Sequence, residues 1–598
     1  MFIGRKTKSG RLYNLRLYNS LRPKKSKPGH IDHMAINPTP HQPPTSPPTC
    51  ISVIVVLWGA MLLHFTFFLL LGLSRHWVFL SSINDLGVFD QVVWNTLHGD
   101  FFQNTINPFS QTINWLGFHF HPILLLFVPL YAISPSPEWF TLAQAGSLSL
   151  TAWPIFLLAR HLFQCEKTAL LWAIAYLVNP FLLSAGAWDF HPVTLAVPFL
   201  ALALLALVQQ NAKLLFLSCL PVLACQEHFG PTVAGLGLLW WLHNRSWQPA
   251  LGLVVLGSLH LVLVLGVVMP FFSPVAGPVM LGEELGQLSR YSWLGTSLSE
   301  VFHTLTTQPL LVWNRLLAMG GVSYWFLLAA PFAFLFPLLG GEFLLAGLAD
   351  LAANTLSANT MPRAIFSYHS VGLIPALTAA AMYGVWRLAG WQKKFSAREL
   401  SSIVLLASCT TGYAFFPAPL PGAANFWAPA RFTLRPDPAL QAIWSTISRD
   451  TSISAQANVG AHFSQRQKYN LYPNRLADSD AVVLHLASPT GNVNDFPGTP
   501  HTRRYRMNWL DAHLQMDRTE YLASIECLIS GETHGVAFWQ DTWLVLTRQT
   551  ENNEAQNQAE DVIEKIRELR GEWQVAEGEY QAALQKCQRN KHGAPFEP

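Results

Sequence analysis

A succession of long apolar runs, beginning with Ile51–Leu73 and recurring to about residue 420, constrains this chain more than any other feature. The first run carries no charged residue. At about 1.5 Å of helix per residue it exceeds the roughly 30 Å hydrocarbon core of a bilayer. Further runs begin near Leu142, Thr168, Val193, Lys213, Pro231, Leu251, Val322, Phe343, Val371 and Ser401. Hydropathy therefore predicts roughly eleven crossings, several of them short. Only 12% of the 598 residues are charged, about half the share in soluble domains. The expected fold class is mostly α: a polytopic helical membrane protein with a soluble C-terminal α/β domain.

Orientation follows from the charges. Residues 1–50 hold nine Lys/Arg against one acid, Asp32, and turn Pro-rich from Pro38 to Pro48. Such a segment has too little apolar surface to offset the entropy of ordering, so it reads as a disordered basic cytoplasmic arm. Ile51–Leu73 is then a retained signal-anchor, with residue 74 onward outside. The basic connections Arg160/Lys167, Lys213, Arg245 and Arg387–Arg398 fall inside if residues 121–134 are a short, partly inserted segment. By the same parity, 51–420 is the membrane domain with a first outer loop at 74–120, and the remainder is extracytoplasmic.

That remainder begins with a Pro/Ala/Gly linker, Phe416–Pro429. An α/β domain at 425–548 follows, with strands near Ser452–Ala455 and Ala481–Leu486 and a hairpin of Val536–Trp539 and Trp543–Thr547. In the helical tail, 551–598, Val562, Ile566, Leu569 and Trp573 form one apolar stripe, suited to packing on the domain or on a protein partner. The seven cysteines show no paired spacing, so neither a disulfide framework nor structural zinc is expected. No basic, aromatic-rich stripe suggests nucleic acid. The Trp content suits membrane interfaces.

The first outer loop holds the densest chemistry. Leu86, Phe89, Val93 and Leu97 share a face of an amphipathic surface helix that Asp85 opens. Asp85 is either that helix's N-cap or a catalytic acid. Asp90 lies about 140° away around a regular helix, so the two acids share a site only if the helix start is irregular. His119 and His121, at i, i+2 in an extended segment, point the same way and suit a metal or a phosphate. As a metal motif they lack a third ligand. Asp189 and His191 close the outer end of the 168–186 span, in a run resembling His119–Pro122. Glu227 and His228 sit in an apolar stretch, where ionisable groups are costly unless they line a cavity. Arg363 and His369 precede the run at Val371, on the same side by parity.

The runs Asp85–Asn95, Leu116–Pro122, Asp189–Pro192, Gln226–His228 and Tyr368–Ser370 resemble a bacterial membrane-protein family, domain of unknown function 2079, over about residues 51–548. That family looks like a distant relative of the GT-C glycosyltransferases, which use polyprenyl-phosphate sugars. The resemblance implies a GT-C-like fold, with Asp85 and His121-Pro122 at the positions of that group's outer-loop acid and His-Pro pair. Where many such enzymes have a second acid, this chain has Leu86, so the cofactor stays open: a divalent metal fits the family but is not indicated by this pattern.

The expectation is a transferase moving a sugar from a polyprenyl-phosphate to an acceptor at the outer face of the cytoplasmic membrane. Asp85 and Asp90 are its catalytic candidates. His119, His121, Asp189, His191, Glu227, His228, Arg363 and His369 are its substrate-binding candidates. The alternatives are a transporter or flippase, with Glu227, His228 and Asp189 lining the path, and a non-catalytic membrane scaffold.

Overall fold

The computed structural model describes residues 51–107, 111–273, 287–295, 297–415, 433–487, 507–508, 510–531, 534–548 and 553–589. The basic arm and the linker Phe416–Pro429 lie outside the described residues. Everything discussed below belongs to one compact unit, Cys50–Pro598.

A helix lies at every apolar run expected from hydropathy. Among the described residues, four helices are long and apolar enough to cross a membrane, fewer than the roughly eleven crossings expected: Ile51–Trp77, Glu138–Phe163, Trp247–Phe272 and Val371–Trp391. The number rises to six if two bent pairs each count as one span, Glu166–Leu177 with Pro180–Ala187 and Pro309–Ala318 with Gly321–Phe332. The runs at Val193 and Lys213 are shorter apolar helices, as is Pro122–Ile133, which is too short to span unaided.

Burial separates peripheral from central helices. In Ile51–Trp77, the residues Val53, Leu57, Met61, His64, Phe68 and Leu71 face the protein, while Val55, Leu62, Leu63 and Phe67 are exposed. That one-sided pattern is what lipid contact on the other side requires. Only 17% of the apolar window of Trp247–Phe272 is buried, against 83% for Val371–Trp391, which is therefore the central helix. Close approach there depends on glycine: a Cβ on Gly384 would lie 1.9 Å from the Phe336 carbonyl oxygen.

Between the first span and the second lies a short antiparallel ladder, β1 (Gln103–Asn104) with β2 (Ile113–Asn114). The C-terminal region forms a five-stranded sheet of β3 (Ile453–Ala455), β4 (Tyr469–Leu471), β5 (Ala481–His485), β6 (Gly535–Gln540) and β7 (Trp543–Thr547). Its strand order is β4-β3-β5-β7-β6. β3 runs parallel to β4 and β5, and β7 runs antiparallel to β5 and β6.

Alternation along the strands divides the two faces. Ala481, Val483, Trp543 and Val545 join the core that continues into the first outer loop and the membrane helices. Val482, Leu484, Leu544 and Leu546 face a second core. That second core is completed by Val562, Ile566, Leu569 and Trp573, the apolar stripe of the tail, together with Tyr521 and Tyr580. The tail helices Asn553–Glu572 and Glu577–Arg589 thus cover the sheet domain. A disulfide joins Cys527 to Cys587, which corrects the expectation of none. A sequence separation of 60 hides the pairing from any local spacing rule.

Candidate functional site at the outer loop

Ser82, not Asp85, caps the helix after the first span: its hydroxyl oxygen accepts from the Asn84 N–H at 3.1 Å. The helix then opens with a π-turn, Ile83–Gly87, before the regular stretch Val88–Leu97. The irregular start envisaged above is present, yet Asp85 and Asp90 go to different places.

Asp85 reaches across to the segment between Pro180–Ala187 and Val193–Val208, where its Oδ1 lies 3.4 Å from His191 Nε2. The other ring nitrogen, Nδ1, donates to the Asp189 carbonyl at 3.1 Å. Tyr368 stacks on the His191 ring at 3.4 Å between centroids, and His369 stacks on Tyr368 at 4.2 Å. Three separate chain segments, around residues 85, 190 and 368, therefore meet at one point. Gln144 holds the middle segment in place by donating to the Trp188 carbonyl at 2.9 Å and accepting from the His191 N–H at 3.2 Å.

Burial pushes the Asp85 carboxyl up, but His191, Trp188 and His369 outweigh it and leave Asp85 below its ordinary value. Asp189 moves the other way, to about 6, because burial dominates although Arg75 opposes it. Its Oδ2 accepts from the Ser82 N–H at 2.6 Å and its Oδ1 lies 3.5 Å from Arg75 Nη2, so it fixes the turn that carries Asp85. Burial also takes His369 down to about 3, with His191 and Arg290 adding to the fall.

A second group adjoins the first through Phe89, whose ring contacts both His191 and His121. His119 Nδ1 lies 3.2 Å from Glu227 Oε1, and the Phe120 N–H donates to Glu227 Oε2 at 3.0 Å. Glu227 is pushed up by burial, yet His119, with His121 and His228, carries it well below the carboxylate range. His119, His121 and Glu227 offer ligand atoms that all lie within 4.8 Å of one another. The third ligand missing from the sequence motif is thus supplied from over a hundred residues away. The donor set nevertheless fits a cation poorly. The Trp115 indole N–H donates to His121 Nδ1 at 3.1 Å, so a neutral His121 ring carries its hydrogen on Nε2. That Nε2 is buried with no hydrogen-bond partner among the described residues, and it suits an acceptor oxygen better than a metal.

His228 lies 3.6 Å from Asp350, an acid the sequence reading did not single out. Arg363 is buried and donates to the carbonyls of Asn354 (3.1 Å) and Ser357, which makes it chiefly a brace for the turn before His369. Asp90 is not brought to the Asp85–His191 pair. It is enclosed by Tyr131, Ser464 and Gln465, which donate to it at 2.5, 2.6 and 3.3 Å. Burial raises it to about 6 against those three bonds. Arg75, Gln144, Arg290 and Asp350 were missed because each acts through a partner distant in sequence, and Trp115 because its bond to His121, six residues on, depends on the fold of the loop.

The C-terminal domain closes over this loop. The Ile83 N–H donates to the Ala457 carbonyl at 2.8 Å, Asn458 donates to the Phe79 carbonyl at 3.0 Å, and the His462 ring stacks on His76 at 3.9 Å. No curated protein matches the chain. Among solved structures it is similar to the crystal structure of ArnT from Cupriavidus metallidurans in the apo state. That likeness has 12% identity and a TM-score of 0.42, over 83% of this chain and 97% of that one. A family model described as "Predicted membrane protein (DUF2079)" matches residues 75–520, and with most of its length accounted for in this way, the chain belongs to that family.

Proposed function

We propose that the protein transfers a sugar from a polyprenyl-phosphate donor to an acceptor at the outer face of the cytoplasmic membrane, with Asp85 as the general base. The observation that carries this reading is the Asp85–His191 pair, at the meeting point of three segments just beyond the apolar helices. A carboxylate held below its ordinary value is ionised throughout the physiological range and ready to accept a proton.

In the reaction the acceptor hydroxyl gives its proton to Asp85 as its oxygen attacks the anomeric carbon. The bond from that carbon to the phosphate oxygen breaks, and the polyprenyl phosphate leaves with the electron pair. One carboxylate suffices for an inverting transfer of this kind. The leaving phosphate needs donors. The charge of Arg290, felt at His369 and Tyr368, supplies positive potential on this side of the pair. Asp189 acts as a positioning residue through Ser82 and Arg75, and Asp90 as a tie to the outer domain. The Cys527–Cys587 bridge supports an extracytoplasmic C-terminal domain, since disulfides persist in oxidising compartments.

The test is transfer by purified protein from a panel of polyprenyl-phosphate sugars, with Asp85→Asn alongside. Because Ser82 is the cap, Asp85→Asn should keep its melting temperature and lose about 10²–10⁴ in rate. Full activity in Asp85→Asn would end the reading.

A further inference from the structure

A cavity of about 300 Å³ lies between the first outer loop and the edge of the sheet, within the size range of ligand sites. Asn84 and Asn107 contribute from the loop, Asn470 and Asn474 from β4 and the turn after it, and Trp115 and Phe118 supply aromatic surface. No charged side chain lines it among the described residues. Asn84 immediately precedes Asp85, so the wall of this cavity and the proposed base belong to the same π-turn.

The lining is selective. A carboxamide offers both donors and acceptors, as a sugar hydroxyl does, so Asn84, Asn470 and Asn474 match a polyhydroxylated surface, while Asn107 shapes the wall through its bonds to the Asn104 and Gln111 carbonyls. The rings of Trp115 and Phe118, 5.2 Å apart and inclined at 38°, line one wall, and the half-buried Phe118 is the one with surface to offer the C–H face of a pyranose. An anion entering here would lose water without meeting a cation. Asn470 is 4% exposed, and its Oδ1, itself buried, has no hydrogen-bond partner among the described residues. Such a buried acceptor is costly unless something donates to it.

We propose that this cavity binds an uncharged carbohydrate which, resting on the transferase reading above, is the acceptor. The C-terminal domain, through Asn470 and Asn474, and the loop after the first span, through Asn84, then grip the glycan together.

The experiment is equilibrium binding to full-length protein in nanodiscs, free of sugar-based detergent. The probes are fluorescently labelled tetrasaccharides of glucose, galactose, mannose and N-acetylglucosamine, with a uronic-acid tetrasaccharide as the anionic counterpart. At least one neutral probe should bind saturably, the uronic acid at least tenfold more weakly. Asn470→Asp, which keeps the shape and adds a charge, should weaken the neutral probe at least tenfold. Asn84 is exposed, so Asn84→Leu is a second variant that leaves folding alone, and it too should weaken binding. Absence of saturable binding by every neutral probe, equal binding of the uronic acid, or unchanged binding by Asn84→Leu would overturn the proposal. Binding is read without turnover and should survive Asp85→Asn, so failure of the transferase reading and failure of this one give different results.

Discussion

Replacing Asp90 by asparagine separates a structural carboxylate from a catalytic one. Asp90 is 1% exposed and its carboxyl sits at about 6 in the folded protein against an ordinary 3.8. The folded state therefore holds this proton more tightly than the unfolded chain does. Its contribution is fully present below pH ~4 and fades as pH rises through about 6. A gap of roughly two units corresponds to about 3 kcal/mol of stability lost between pH 4 and pH 7. Asparagine cannot ionise, and the hydroxyls of Tyr131 and Ser464 can turn to accept from its amide.

Asp90→Asn should therefore be at least as stable as the parent at pH 7.5, and its advantage should shrink towards pH 4.5. With an unfolding entropy of about 2 cal/mol/K per residue, a unit of this size shifts by about 1 °C per kcal/mol, so the difference between the two pH values is on the order of 2–3 °C. Apparent melting temperatures in nanodiscs at a fixed scan rate, across pH 4.5–8, measure this directly. A variant that is less stable at pH 7.5 than at pH 4.5, relative to the parent, would refute it: Asp90 would then be an ionised anchor. Transfer activity in Asp90→Asn should remain within a few-fold of the parent, and its loss would return Asp90 to the catalytic set.

Two further outcomes follow from the same geometry. Removing the disulfide by Cys527→Ser with Cys587→Ser should cost the outer domain about 4 kcal/mol, from the 60-residue separation of its ends; unchanged proteolytic resistance of the double variant would contradict this. Because Trp115 fixes the His121 tautomer, zinc should not raise the melting temperature of the parent and a chelator should leave transfer intact; a zinc-dependent rise of several degrees would make His119, His121 and Glu227 a metal centre after all.

Much of the architecture was legible in the sequence because it rests on periodicity. Apolar runs marked each membrane helix, and strand-forming alternation marked Ala481–His485 and the terminal hairpin within a residue or two. Tyr469–Leu471 escaped notice because a three-residue edge strand with an asparagine at its centre has no period to detect. The site was legible in its residues but not in its pairings. His191 beside Asp85, Glu227 beside His119 and Asp350 beside His228 are contacts between elements, and nothing in the local sequence encodes them. Asp90 shows the converse error. Its place next to Asp85 in one motif suggested a shared task, whereas a few residues of helix turned it toward Ser464, which is 374 positions away.

The joint between the first outer loop and the outer domain also bears on how the protein is made. Ile83 bonds to Ala457, Phe79 to Asn458 and Asp90 to Ser464, and the loop and the sheet share one hydrophobic core. The turn carrying Asp85 emerges early in synthesis, but the strands that brace it are among the last quarter of the chain to be translated. Until the chain has been made through β7 and that strand has paired with β5, the turn lacks its roof, so insertion of the membrane helices can finish well before the site is braced.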